Sequence, residues 1–217
     1  MKWTMFLAGA LAAPLAVAAA PAQAQEADHD WFVRAGITQL TLADEIDLTV
    51  AGTPVPNAGI DTDSHYTPTV HIGRMLGNHV AVVLTVGLPP HIEIDGSDAL
   101  EPFGRLAETT YGPAALMLQY RPIREGTFQP YIGAGACYMI IMSADDGAFQ
   151  DVEIDDDLAP ALEIGTDIML TPRYGFFVEA KKAFLRSQAR GTFAGAPVVG
   201  DVRLDPWAVS VGGVFRF

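Results

Sequence analysis

The sequence predicts an all-β chain folded as an eight-stranded antiparallel transmembrane β-barrel of the outer-membrane type. Three observations carry this. The N-terminus reads as an export leader, apolar residues recur with period two in eight later stretches, and the gaps between those stretches alternate short and long.

The leader spans residues 1–24. Lys2 supplies a positive start, Met5 to Ala20 is apolar apart from Gly9 and Pro14, and Ala22-Gln23-Ala24 gives a small-residue cleavage signature, predicting a cut before Gln25. Pro14 and the small-residue exit disfavour a retained anchor. The remaining chain, residues 25–217, is long enough for one domain of ordinary size. The leader holds Lys2 and no acid, so its loss takes the net charge from −13 to −14. That acidity excludes nucleic acid as a partner, because binding it needs a basic footprint. Half of the residues are hydrophobic, which excludes a disordered acidic chain. The only cysteine is Cys137, so no internal disulfide frame exists. No later run of about 18 apolar residues is present to form a membrane helix. Two classes survive: a soluble periplasmic β-domain and an outer-membrane barrel.

The strand pattern comes next. In Trp31–Leu40, Val33, Ala35 and Ile37 oppose Arg34, Gly36 and Thr38; in His79–Leu88, Val80, Val82, Leu84 and Val86 oppose Ala81, Val83 and Thr85. Leu116, Leu118 and Tyr120 oppose Ala115, Met117 and Gln119. Residues 159–170 set Leu162, Ile164 and Ile168 against Glu163, Gly165 and Asp167, and residues 175–184 set Phe176, Val178 and Ala180 against Glu179 and Lys181. The last stretch sets Trp207, Val209, Val211, Phe215 and Phe217 against Ser210, Gly212 and Arg216. With Thr67–Met75 and Gln129–Ile141 the count is eight, and strands of about nine to eleven residues suit a membrane barrel. Alternation alone also fits a β-sandwich. The polar face favours the barrel: Arg34, Glu163, Asp167, Glu179, Lys181 and Arg216 alternate with glycine and alanine, as a narrow interior of paired ions requires.

The connections sharpen this. Residues 76–78, 121–128 and 171–174 are short, whereas 43–66, 89–108, 143–158 and 187–202 are long. Short periplasmic turns and long external loops are the outer-membrane pattern. The first three long loops hold most of the acids, while the turns and their flanks hold Arg74, Arg121, Arg124 and Arg173. The chain also stops in mid-strand on an aromatic residue. In a closed barrel the last strand pairs with the first, so this end does not fray, and Phe215 and Phe217 stand in the interfacial aromatic girdle, with Trp207 on the same face.

The stretches "LPPH" (88–91), "PYIGAGACY" (130–138), "APALEIGTDIML" (159–170) and "VRLDPWAVSVGGVFRF" (202–217) together resemble the OmpW family of small outer-membrane barrels, over nearly all of residues 29–217. The resemblance implies an eight-stranded barrel with a narrow, largely hydrophobic channel that passes small hydrophobic compounds into the outer membrane. The family's seventh strand ordinarily carries a tryptophan, where this chain has "YGFFVEAKKAF". A terminal phenylalanine also resembles the signal by which such barrels are recognised for insertion. Expected partners are outer-membrane lipid and lipopolysaccharide, the barrel assembly machinery with periplasmic chaperones, and small hydrophobic solutes.

No catalytic residue is expected. His29, His65, His71, His79 and His91 read as isolated side chains at strand ends or rims, and nothing in the spacing pairs His71 with Ser210. No cofactor is implied. The acidic third loop offers Asp145, Asp146, Asp155, Asp156 and Asp157 as a weak candidate for a divalent cation, but it lacks EF-hand spacing and reads more simply as a solvated surface. The expected lumen-facing residues are Arg34, Met117, Glu163, Asp167, Glu179, Lys181 and Arg216. They either select solutes by charge or fill and stiffen a bore that leaves space for side chains or one small ligand. The two function classes that follow are a narrow uptake route for mainly apolar molecules and a plugged surface barrel whose acidic loops contact lipopolysaccharide, phage or host.

Overall fold

A computed structural model describes residues 30–217 apart from 43, 44 and 63; the leader, its cleavage site and His29 lie outside the described residues. Eight strands form the wall: β1 (Trp31–Thr41), β2 (His65–Met75), β3 (Val80–Gly87), β4 (Arg105–Tyr120), β5 (Phe128–Asp146), β6 (Asp157–Met169), β7 (Tyr174–Ala183) and β8 (Trp207–Arg216). Each pairs antiparallel with its neighbours, β4 with β5, and β8 with β1, so the ring is closed.

The closing ladder includes Phe217. β1 and β8 run in register from Phe32 opposite Arg216 to Thr41 opposite Trp207. Past the last pair, Trp31 N donates to Phe217 O at 3.2 Å and Phe217 N donates to Trp31 O at 2.9 Å. Phe217 is therefore a rung of the ladder, and the eight wall strands leave no open edge among themselves.

Period-two alternation sends one face of every strand outward. Leu84, Leu116, Ile164 and Val211 would pack together in a sandwich; here they are 43%, 56%, 62% and 52% exposed. An apolar outer face that wide is stable only in hydrocarbon. The opposite face encloses the lumen.

Two differences from the expected strand plan share one cause. β4 has 16 residues and β5 has 19, longer than a bilayer needs. The stretches read as loops carry strands of their own, at Glu45–Val50, Thr53–Pro54, Ala58–Asp61, His91–Asp98, Gln150–Ile154, Arg186–Phe193 and Ala196–Arg203. Most of these pair into a collar that continues the wall above the bilayer. The collar has its own apolar core of Leu48, Ile60, Leu100, Leu106 and Val198. Phe193 ties it together, its ring 5.0 Å from Phe103 and 5.9 Å from Phe149. Collar strands alternate apolar and polar residues as the wall does (Ile46, Leu48 and Val50, for instance), but over spans too short to stand out beside the acids around them.

At the opposite end three short connections and both ends of the barrel sequence come together. Gly77, with φ +140°, and Gly126, with φ +80°, sit in two of these turns, where the backbone takes values that side chains disfavour.

Candidate functional site

The lumen has two storeys, and the same eight strands build both. Near the turn end, one carboxylate gathers three guanidinium groups. Arg34 Nε donates to Asp167 Oδ1 at 2.9 Å and its Nη2 to Oδ2 at 3.3 Å, while Arg216 Nη2 donates to Oδ2 at 2.9 Å. Arg121 Nη2 donates to the same Oδ2. Two guanidiniums are also stacked between rings: Arg34 lies 4.6 Å from the Phe32 centroid and 4.5 Å from Tyr131, and Arg121 lies 5.2 Å and 4.7 Å from the same pair. A cation over a ring face in a dry setting is attracted by the ring quadrupole. Phe32, Met75, Ala81, Val83, Met169 and Val214 close around this cluster.

One step toward the loops, a second ion group follows. Lys181 Nζ lies 3.2 Å from Glu163 Oε2 and 3.2 Å from Glu179 Oε1. Gln119 Nε2 donates to Glu163 at 2.7 Å and Tyr131 OH donates to Glu179 at 3.0 Å. Arg34 Nη1, 3.9 Å from Glu179 Oε2, links the two groups. Small residues on neighbouring strands make the space. A Cβ at Gly133 would come within 2.6 Å of the Glu163 carboxylate, and one at Gly165 within 2.5 Å of the Tyr131 ring. Buried charges persist only when paired and hydrogen-bonded this closely.

Above the ions the chemistry changes. A cavity of about 160 Å³ begins at a floor of Thr38, Thr69, Thr85, Ser210, Glu179 and Lys181 and continues up to the collar. Its walls come from Leu40, Ile92, Tyr111, Ala115, Met139 and Leu185, among others. Cys137 lines it as well.

Of the residues singled out in the sequence, Arg34, Met117, Asp167 and Glu179 are almost fully buried, Glu163 and Lys181 nearly so, and Arg216 is partly buried beside the turn-end mouth. The charged ones form one connected network, whereas Met117 packs into the apolar group above it. Four members were not among the expected lumen residues. Arg121 looked like a turn charge before Pro122, yet it continues the inward series 115, 117, 119. Gln119 and Tyr131 share the inward parity of their strands. His71, expected at a strand end or rim, is instead buried mid-strand: Thr85 Oγ1 lies 3.1 Å from its Nδ1, because 69, 71 and 73 all face inward. His71 is not paired with Ser210, whose hydroxyl bonds Thr38 at 2.7 Å.

The aromatic residues stand on the outer face. Phe215 stacks on Tyr174 at 4.9 Å and on Phe217 at 5.6 Å at the turn end, and Trp207 lies under Lys182 at 5.3 Å near the loop end. The loop acids are dispersed onto separate donors. Asp156 accepts from Tyr138 OH at 2.9 Å and Ile141 N at 2.7 Å; Asp146 accepts from Val152 N, Asp157 from Arg186 N, and Asp155 lies 3.3 Å from Arg190. Asp145 sits in β5 opposite Glu108. Among the described residues no three His, Cys, Asp or Glu side chains are placed to share a metal ion.

The profile of the OmpW family matches residues 27–217. Outer membrane protein AlkL of Ectopseudomonas oleovorans is 28% identical over 189 residues, covering 87% of this chain and 82% of its own. Dibenzothiophene metabolism operon protein PahQ of Pseudomonas aeruginosa is 28% identical over 198 residues, covering 91% and 92%. The crystal structure of outer membrane protein OprG from Pseudomonas aeruginosa superposes with a TM-score of 0.80 at 24% identity, covering 87% of this chain and 95% of that one.

Proposed function

The chain belongs to the OmpW family of outer-membrane barrels, and from that premise we propose that it takes up small, mainly apolar molecules through the loop-end half of its lumen. One observation carries this reading: an apolar cavity stands on a floor of buried ions, with the wall closed around both. Solute enters through the collar. The ion cluster below bars the axial path, since an apolar body gains nothing by displacing paired charges. Exit is then sideways into the bilayer, whose hydrocarbon the outer wall already touches. The name of PahQ, which places it in dibenzothiophene metabolism, fits an apolar aromatic load. Export through the leader 1–24, reading of the last strand by the assembly machinery with its chaperones, and contact of the acidic collar with lipopolysaccharide belong to the same proposal. It is a transport reading without a catalytic step, and the loop acids act in it as a solvated surface.

The competing reading is a plugged surface barrel without transport, and the ion cluster favours it as well. Uptake decides between them. A strain lacking the protein is expected to take up a labelled alkylbenzene or dibenzothiophene more slowly than the complemented strain, with sugar uptake unchanged. Equal rates in the two strains would leave the surface-barrel reading standing.

A further inference from the structure

Three hydroxyls on adjacent strands form a chain across the cavity floor. Thr38 on β1 lies 2.7 Å from Thr69 on β2 and 2.7 Å from Ser210 on β8. Each hydroxyl has one proton to donate and lone pairs to accept. Thr69 continues the chain to His71 Nε2 at 3.5 Å, and His71 Nδ1 meets Thr85 at 3.1 Å, where Lys181 Nζ also donates at 3.2 Å. Ser210 is the other end and has no further partner among the described residues.

The direction of the chain follows the histidine tautomer. If Nε2 carries the proton, it donates to Thr69, Thr69 to Thr38 and Thr38 to Ser210, which leaves the Ser210 proton over. If Nδ1 carries it, every bond reverses and Ser210 Oγ keeps a spare lone pair. In both states a polar group is left facing a cavity whose walls are apolar, and leaving such a group unpaired is costly. A solute that brings its own hydroxyl meets this need in either state, donating in one and accepting in the other, and unlike water it also covers the apolar walls. A ketone or ether fits only the first. The floor has no net preference for an anion, because Glu163 and Glu179 already hold the Lys181 ammonium. Size sets the rest, since a dry cavity of about 150 Å³ holds one benzene ring and this one measures about 160 Å³.

Taking the uptake reading as its basis, we infer that the cavity prefers small single-ring or short-chain alcohols and phenols to the hydrocarbons of the same shape, with the solute hydroxyl on Ser210. Ser210 is the specificity-determining residue, and Thr38 positions it.

The test titrates the full-length barrel in lipid nanodiscs with p-cresol and with p-xylene, following the methyl resonances of Met117 and Met139 against free aqueous solute. One added hydrogen bond corresponds to p-cresol binding about 3- to 10-fold more tightly than p-xylene. Ser210→Ala is expected to lose the preference, so that p-cresol and p-xylene bind the variant alike through a larger loss for p-cresol, with heat-modifiable gel migration reporting that the variant folds. The wild-type pair of solutes stands as a test even if the variant does not fold. Equal binding of both solutes by the wild-type protein overturns the preference while leaving apolar uptake intact. Equal weakening of both by Ser210→Ala overturns the role of Ser210. Failure of both solutes to move either methyl overturns the uptake reading together with the preference.

Discussion

At the level of Arg34 and Asp167 the lumen is filled with ions stacked between rings; at the level of Leu40 and Ala115 it is apolar and hollow. Both levels are built from inward positions of the same strands, often two or three inward residues apart. In β1, Arg34 belongs to the lower level and Leu40 to the upper; in β6, Asp167 and Ala161 do the same. The same eight strands run through both levels, with a register shift between Thr110 and Tyr111 where β4 meets β5, so strand number does not set the difference. Side-chain volume and charge do: the turn-end half spends long side chains on filling the bore, and the loop-end half spends alanines on leaving it open. The comparison teaches that closing a small barrel and loading it are separable tasks.

The sharpest way to break the lower half is to remove its shared carboxylate. Asp167→Ala leaves Arg34, Arg121 and Arg216 buried without their common partner, and loss of one member of a buried pair costs about 3–5 kcal/mol. Urea unfolding in detergent should show that loss, and planar bilayers should show raised small-ion conductance; a variant unchanged in both would mean that Asp167 does not hold the cluster. Tyr131→Phe removes only the hydroxyl donated to Glu179, a hydrogen bond to a charged group worth about 1.5–3 kcal/mol, and leaves the ring under Arg34. Its unfolding midpoint should fall by less than that of Asp167→Ala, and an equal fall would place the stability in the Glu179 bond instead.

Effects on the outer surface should be smaller. Lys182→Ala loses the contact with Trp207, about 0.5–1 kcal/mol, and the hydrogen bond to the Asp205 carbonyl, about 0.5–1.5 kcal/mol, and should shift the unfolding midpoint modestly without altering uptake. The smallest effect expected is one of pH at the collar base. There Arg105 hydrogen-bonds Glu108 and His91 joins it, which holds the Glu108 carboxyl below its ordinary range. A carboxyl lowered in the folded state contributes stability above its unfolded pKa, lost as pH falls through the folded value. Amide-exchange protection of the 91–95 and 105–110 pairing should therefore hold at neutral pH and fall under acid, and Glu108→Gln should flatten that dependence.

Much of the barrel was legible because period two is a strong signal when one face must meet hydrocarbon and the other must not. Arg34 and Asp167 stood out for that reason. Arg121 did not, since a charge beside Pro122 has the composition of a turn and only its parity with Met117 and Gln119 betrays it. Nothing local told that one aspartate would serve three arginines, because the four residues lie on β1, β6, β8 and the end of β4, and only barrel closure brings them together. The collar was obscured for another reason: beyond the 186–203 hairpin and the short 49–54 pair, its strands take their partners from different stretches, so local sequence shows only part of the pairing.

Filling the hollow half while leaving the ion-filled half alone is the most direct test. Ala115 is buried on the inward face of β4 and lines the cavity, and Ala115→Trp puts an indole where solute is to pass. The measurement is the initial uptake rate of labelled alkylbenzene in the deletion strain complemented with either form at matched amounts of heat-modifiable barrel. Uptake through the cavity predicts at least about a tenfold lower rate for Ala115→Trp, a barrier change of roughly 1.4 kcal/mol or more. Equal rates for the two forms would contradict it, because solute would then be crossing without using the cavity.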